Sequence, residues 1–481
     1  MHFSVILRVT GILLSLFSLA MLLPMGVAWL YNEPTISAFA LAFGITAGVG
    51  LLLWALVRGS GDLRSRDGFL ITVLFYVGLG TFGALPLWLL DGAALSLTDA
   101  IFESLSGLTT TGATVMTGLD DLPRSILFYR QFLQWLGGMG IIVLAVAILP
   151  MLGIGGMQLY RAESPGPVKD TKLTPRITET AKALWFIYLG ITVLCAICYS
   201  AAGMDTFDAI CHSFSTVAIG GFSTHDQSLG YFNSAAIESV AMVFMVLAAI
   251  NFGLHFAAIS RRRPNYYTRD WEVRTMLGTL ALVASLVCLI LYRNPEVTDN
   301  PIRDGLFQAV SIATTTGFTT ANFSVWPSVA PVLLLLAAFA GGCAGSTAGG
   351  LKMVRVLLIY LQGLREVRRL IHPSGVFPVK LGNATVSDRV MGAVWGFFAA
   401  YVLIFLVMLC AIMLFSKVDF ITAFSAVGAC LNNLGPGLGD VALNYADQST
   451  TTKWILILAM LLGRLEIFTL LVLLTPAFWQ R

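Results

Sequence analysis

Long runs without a single Asp, Glu, Lys or Arg divide the chain: residues 9–32, 34–57, 68–90, 131–160, 183–204, 239–260 and 390–416 contain none. A bilayer hydrocarbon core of about 30 Å takes roughly 20 apolar helical residues to cross, and each of these runs reaches that length. The pattern predicts an all-α polytopic membrane protein. Two N-terminal spanning helices, near 9–31 and 36–57, precede a segment that repeats itself four times.

The repeats read Asp99-AIFESLSGLTTT-Gly112, Asp208-AICHSFSTVAIG-Gly221, Asp304-GLFQAVSIATTT-Gly317 and Thr422-AFSAVGACLNNL-Gly435, with 13 residues from the opening position to the glycine in every copy. Ser106, Ser215 and Ser311 share the position six before the glycine, where the fourth copy has Ala429. Each copy lies between two stretches long enough to span. The unit is therefore helix, short segment, Gly loop, helix, and four units add eight spanning helices and four re-entrant half-helices to the N-terminal pair. Residues 305–351 are uncharged throughout, which puts the third short segment at membrane depth. Non-helical backbone is tolerated there only where it lines water or is buried in protein, so four such loops imply one shared aqueous path. Asp and Thr are good N-caps, and they are expected to open each half-helix. The negative C-terminal ends of the half-helices would then point at the Gly loops and favour a cation.

Ten crossings return both termini and all inter-unit linkers to one side. That side holds 22 basic and nine acidic residues, and the loop side six basic and 16 acidic ones. By the positive-inside rule the linkers are cytoplasmic and the loops open outward. The basic linkers near 155–180 and 352–388 suit anionic lipid or the docking of a soluble subunit. Over all 481 residues, 57% are hydrophobic and only 11% charged, and the formal net charge of +3 excludes a strongly basic nucleic-acid binder. Arg8 is the one basic residue before a first apolar run too long for a signal-peptide core, so that run reads as a retained helix. The seven cysteines fall in or beside apolar segments with no metal-site spacing, and they are expected to be free buried thiols.

Threonines and other small residues crowd the glycines: Thr109–Thr111, Ile219 and Gly220, Thr314–Thr316, Asn432–Leu434. Such residues suit an extended segment whose backbone carbonyls replace an ion's water shell. Carbonyls carry only partial charge, which matches a weakly hydrated monovalent cation better than a divalent one. Two features interrupt the later helices. Five glycines in ten residues, Gly341, Gly342, Gly345, Gly349 and Gly350, would weaken any helix there. They mark either a close-packed helix interface or a flexible segment able to block the path. Arg464 lies 11 residues after Lys453, roughly 16 Å into the membrane at 1.5 Å per residue. An arginine there requires a partner or a water-filled path. Glu466, two residues on, would point away from it on a continuous helix.

The loop sequences GLTTTGAT, AIGGFST, TTTGFTT and NNLGPGL, with GGCAGSTAGGLK and GRLEIFTLL, resemble the bacterial TrkH/TrkG potassium-uptake proteins of the Trk/Ktr/HKT superfamily. The resemblance runs over essentially the whole chain. It implies four helix–pore-loop–helix units in pseudo-fourfold arrangement around a potassium-selective pore. The units would span 61–165, 166–265, 266–372 and 373–481, after an N-terminal pair at 1–60. It implies potassium coordinated by carbonyls at Thr110, Thr111, Ile219, Gly220, Thr315, Thr316, Asn433 and Leu434, around the filter glycines Gly112, Gly221, Gly317 and Gly435. It further implies a gate at 341–350 contacted by Arg464, a homodimer, a cytoplasmic nucleotide-binding TrkA-like subunit, residence in the bacterial inner membrane, and no enzymatic activity. A sodium-selective or proton- or sodium-coupled symporter is the alternative on the same fold. A serine at the first loop glycine accompanies sodium permeation in the superfamily, and Gly112 argues against it. The fourth loop, NNLGPGL, departs most from the others.

Overall fold

The computed structural model describes residues 2–56, 65–90, 95–143, 173–327, 329–382 and 384–480. Most of the first basic linker, with Arg161, Lys169 and Lys172, lies outside the described residues, as do Arg58 and Arg64. The chain is helical nearly throughout, apart from a two-residue ladder that pairs Lys380–Leu381 with Ala384–Thr385. It is an all-α, multi-pass membrane protein.

Among the described residues, six helical stretches without a sharp bend are apolar and long enough to cross a bilayer: Phe3–Leu30, Ile36–Leu56, Arg66–Trp88, Ala181–Ala201, Trp271–Tyr292 and Asp388–Phe415. The inner helix of each later unit is interrupted. Ala235–Ala249 and Phe252–Ser260 meet at 92°, and Thr450–Arg464 and Phe468–Leu474 at 115°. In the third unit the glycine-rich segment separates Ala330–Ala340 from Met353–Ile371. The second-unit break was not expected. There Ile250 is extended, and Asn251 caps the following helix by accepting from the Gly253 amide at 2.7 Å.

Between outer and inner helices lie the half-helices Leu97–Leu108, Thr206–Ala218, Pro301–Ala313 and Phe420–Leu431. Twelve or thirteen residues at 1.5 Å each give about 18–20 Å, well short of the hydrocarbon core. Their caps correct the sequence expectation. Ser96, Asp205 and Asp419 are the N-caps, each accepting from a backbone amide two or three residues on. Asn300, ahead of Pro301, makes no side-chain cap bond. Asp99, Asp208 and Thr422 therefore sit at the third helical position. Asp99 completes a reciprocal cap by accepting from the Ser96 hydroxyl at 2.7 Å.

Apolar burial organises the rest. Leu14, Phe17 and Phe39 of the N-terminal pair share one core with Leu105 of the first half-helix and Met460 of the last inner helix. Large side chains such as Leu16, Leu52, Leu282, Leu403 and Leu414 remain exposed on the periphery, as a lipid-facing surface requires. The first two spanning helices touch through glycine: a Cβ added to Gly11 would lie 2.7 Å from the Gly50 carbonyl oxygen, and one on Gly50 2.7 Å from the Ser15 amide nitrogen. Backbones meet this closely only where a side chain is absent.

Gly50→Leu should consequently separate these two helices, costing about 1–3 kcal/mol as an overpacked contact. Thermal unfolding in detergent would register a lower midpoint, and an unchanged midpoint would refute the close crossing.

Candidate functional site

Four different loop sequences adopt one backbone geometry. Two residues before each glycine the chain enters the left-handed region, at Thr110 (φ 50°), Ile219 (54°), Thr315 (64°) and Asn433 (52°). The glycines follow at 81°, 79°, 84° and 97°. The amide just before each glycine closes back on its half-helix at 2.8 Å in all four cases: Thr111 to the Ser106 carbonyl, Gly220 to Ser215, Thr316 to Ser311, Leu434 to Ala429. Thr110, Ile219 and Thr315 are β-branched, so this conformation holds about 1–3 kcal/mol of strain at each.

The loops close into a ring. A Cβ on Gly112 would strike the carbonyl oxygen of Gly220, one on Gly221 that of Thr316, and one on Gly317 that of Leu434. One on Gly435 would come within 2.8 Å of the Thr111 oxygen. Each glycine thus faces the residue preceding the next loop's glycine, in the order one, two, three, four and back to one. This brings together all eight positions named from the sequence, and all are buried. Thr110 and Gly220 have carbonyl partners, in Arg464 (3.5 Å) and the Gln134 amide (2.7 Å). The carbonyls of Thr111, Ile219, Thr315, Thr316, Asn433 and Leu434 accept no hydrogen bond from any described residue. Buried carbonyls rarely go without a donor, so six in one ring of loops are acceptors open to a ligand or to ordered water.

Side chains behind the ring hold the loops in place, and most escape a reading of the sequence. Nine residues before the glycines stand Glu103, His212 and Gln308. Glu103 accepts from the Val115 amide and the Thr114 hydroxyl, both at 2.9 Å, and pairs with Arg130 at 2.7 Å. Arg130 also donates to the Ser223 carbonyl of the second loop and lies 4.4 Å over the Phe222 ring. His212 meets the Ser223 hydroxyl at 2.9 Å, and Gln308 donates to the Ala321 carbonyl at 2.9 Å. Ala426 fills that position in the fourth unit, where Ser425 instead bonds the Leu438 amide at 2.8 Å and Tyr445 donates to the Gly435 carbonyl at 2.8 Å. A polar residue at a fixed register of an otherwise apolar half-helix is the signal that could have revealed this layer.

Below the ring, the segment Gly341–Gly350 and Arg464 face each other. Arg464 donates to the carbonyls of Thr109 (2.6 Å) and Thr347 (3.2 Å), and to the Thr110 hydroxyl. Glu466 is turned elsewhere because the helix ends at Arg464 and Glu466 and Ile467 take φ of 54° and 53°. Its carboxylate binds Arg355 at 2.6 Å, and that guanidinium lies 4.1 Å over Phe397. A cavity of about 40 Å³ opens between Gly349, Lys352, Asn433, Arg464 and Glu466.

Four residues past the second loop glycine, His225 stands between two carboxylates, with Nδ1 on Asp120 and Nε2 3.3 Å from Asp208, and stacks on Tyr231 at 3.5 Å. Burial alone would lower its pKa, but the hydrogen bonds it donates to Asp208 and Asp120 outweigh that and raise it above the ordinary 6.5. Further pairs join neighbouring units: Glu238 with Arg303 at 2.8 Å and Asp99 with Lys453 at 2.7 Å.

Comparison with known proteins returns one answer at every level. Residues 35–481 match the family described as "TrkH: Cation transport protein". The chain is 57% identical to the Trk system potassium uptake protein TrkH of Halomonas elongata and 54% identical to that of Escherichia coli, each alignment covering 100% of both proteins. It is 42% identical to TrkG of Escherichia coli, over 100% of this chain and 99% of that protein. The crystal structure of the potassium transporter TrkH from Vibrio parahaemolyticus superposes with a TM-score of 0.93 at 52% identity, covering both chains fully.

Two outcomes follow from this geometry. Glu103→Ala strands the buried Arg130 charge, which should cost about 3–5 kcal/mol and lower the thermal midpoint, whereas Glu103→Met with Arg130→Met should lose much less. Equal losses in the two variants would show that the ion pair is incidental. Because the folded state raises the His225 pKa, its stabilisation is complete below pH 6.5 and fades as pH rises through the raised value. The midpoint should fall on going from pH 6.5 toward alkaline conditions, and His225→Gln should flatten that part of the profile.

Proposed function

The chain belongs to the TrkH family of cation transport proteins, and on that premise we propose that its function, potassium uptake across a membrane, is carried out by the carbonyl ring of the four loops. The protein is a non-enzymatic ion transporter, and potassium is its transported substrate. The observation that carries the proposal is the closed ring of four loops, in which six buried carbonyls accept from no described residue. Potassium is large and weakly hydrated, so a ring of partial charges can replace its water shell without demanding a full carboxylate. A smaller, more strongly hydrated sodium ion gains less from the same ring. No side chain of the ring is ionisable, which suits a monovalent ion that must leave as readily as it enters.

The surroundings agree with this role. The half-helices end at the loops and turn their negative ends toward the path. The outer face carries most of the acidic residues and attracts cations to the mouth. Arg464 and the segment containing Gly341, Gly342, Gly345, Gly349 and Gly350 stand beneath the ring as the gate. The charge asymmetry orients the molecule with both termini and the linkers in the cytoplasm and the loops facing out of the inner membrane. Exposed Arg368 and Arg369 on the last turn of Met353–Ile371 belong to the basic inner face where a TrkA-like regulatory subunit would dock. Assembly as a homodimer is part of the same reading.

Isotope flux into proteoliposomes tests the proposal: potassium and rubidium should pass far faster than sodium and lithium, and equal rates would overturn it. In Gly112→Ser the new Cβ meets the Gly220 carbonyl at a φ of 81°. Displacing that carbonyl should raise the sodium-to-potassium ratio about tenfold, equivalent to ~1.4 kcal/mol of lost discrimination. Unchanged selectivity would remove Gly112 from the filter.

A further inference from the structure

The last carbonyls of a helix have no partner within it, and here four helix ends converge beneath one ring. The intramembrane segment and Arg464 supply a donor at every one of these ends, to a carbonyl at the first, second and fourth and to a hydroxyl at the third. Arg464 donates to the Thr109 carbonyl just past the first half-helix at 2.6 Å. The Thr347 hydroxyl donates to the Val217 carbonyl of the second at 3.0 Å. The Gly349 amide donates to the Thr315 hydroxyl just past the third at 2.7 Å. The Gly350 amide donates to the Asn432 carbonyl just past the fourth at 3.1 Å. A cation just past the segment also lines the cavity: Lys352, at φ 76°, donates to the Ala348 carbonyl.

A cation leaving the ring toward the cytoplasm would meet these same acceptors next. Oxygen lone pairs occupied by N–H and O–H groups are not available to it, and the charges of Arg464 and Lys352 at a cavity of about 40 Å³ repel it. We propose that the permeant cation and the intramembrane segment are competing ligands for one set of acceptors at the half-helix ends, so that potassium arriving below the ring displaces the segment and opens its own exit. This rests on reading the loops as the filter. Thr347 is the positioning residue of the docked segment: its hydroxyl reaches Val217 and also the Ala248 carbonyl at 3.3 Å, while its own carbonyl accepts from Arg464. The fit is tight, because a Cβ on Gly349 would strike the Asn432 carbonyl.

Cys343 supplies a native reporter, as a fully buried thiol within the segment whose sulfur contacts Met276. The full-length protein in liposomes is treated with N-ethylmaleimide at constant ionic strength, in potassium or in N-methylglucamine, a cation too large for the ring. Mass spectrometry reads alkylation at each cysteine. Cys343 should react severalfold faster in potassium, along a saturating curve, while Cys430 of the fourth half-helix stays constant. Equal Cys343 rates in both salts, in vesicles that carry potassium-selective flux, would overturn the competition and leave the filter reading standing. Loss of selectivity in the flux itself would overturn the filter reading instead. Thr347→Val should raise the rate in N-methylglucamine severalfold and lower the potassium concentration needed for half the effect, and Thr347→Ser should restore both. A valine variant that reacts like the wild type would dismiss Thr347 as the docking residue.

Discussion

Backbone polar groups at membrane depth must find partners, because hydrocarbon offers none, and a spanning helix normally meets this demand within itself. The four loops break that economy on purpose. They bring eight buried residues into one ring, and six of their carbonyls accept from no described residue. Much of the surrounding architecture keeps those carbonyls buried and hidden from lipid. Half-helices too short to span deliver the chain to mid-depth, a left-handed residue and a glycine turn it, and the neighbouring loop stands where a side chain on that glycine would be.

Such a ring would collapse or splay without support, and the support is polar and buried. Glu103 and Arg130 are nearly inaccessible, so their pairing repays desolvation chiefly through geometry: it ties the first loop to its half-helix and the second loop to the first inner helix. Glu238 with Arg303 and Asp99 with Lys453 repeat the pattern of one unit gripping the next. Between the third and fourth units the grip is apolar, with Leu334 and Leu335 packed in one cluster with Ala429, Leu434 and Leu438. The fourth loop can therefore lack the threonine run of the first and third, because the dihedral angles are conserved while the means of holding them differ.

Arg464 links this ring to the glycine-rich segment Gly341–Gly350. A continuous helix would have sent Glu466 to its far side, and it is the chain reversal at Glu466 and Ile467 that separates the two charges completely. Arg464 goes to the end of the first half-helix and Glu466 to Arg355 on the helix that follows the glycine-rich segment. Both ends of the segment's environment are thereby charged, one by a cation aimed at carbonyls and the other by an ion pair. The segment itself contributes only small residues that can dock and leave.

How much was legible in the sequence depended on range. The repeat, its 13-residue spacing, the glycine positions and the spanning character of the helices are local or periodic, so counting along the chain was enough to obtain them. The half-helix caps were misplaced by three residues because an acid at the third helical position and a true N-cap look alike until backbone dihedrals distinguish them. The supporting layer of Glu103, His212 and Gln308 was overlooked because each residue reads as an isolated polar side chain until its partner, 11 to 13 residues further on, folds back against it. Through-space order lay beyond the sequence altogether. Arg464 finds Thr109 across 355 residues, and each glycine finds the carbonyl of the next loop rather than of the opposite one. The sequence by itself determined that four equivalent glycine loops would exist, each at the end of a helix too short to span. Only the tertiary structure decided which loop adjoins which, what holds each one, and what stands beneath them, because those choices are made by packing between distant segments.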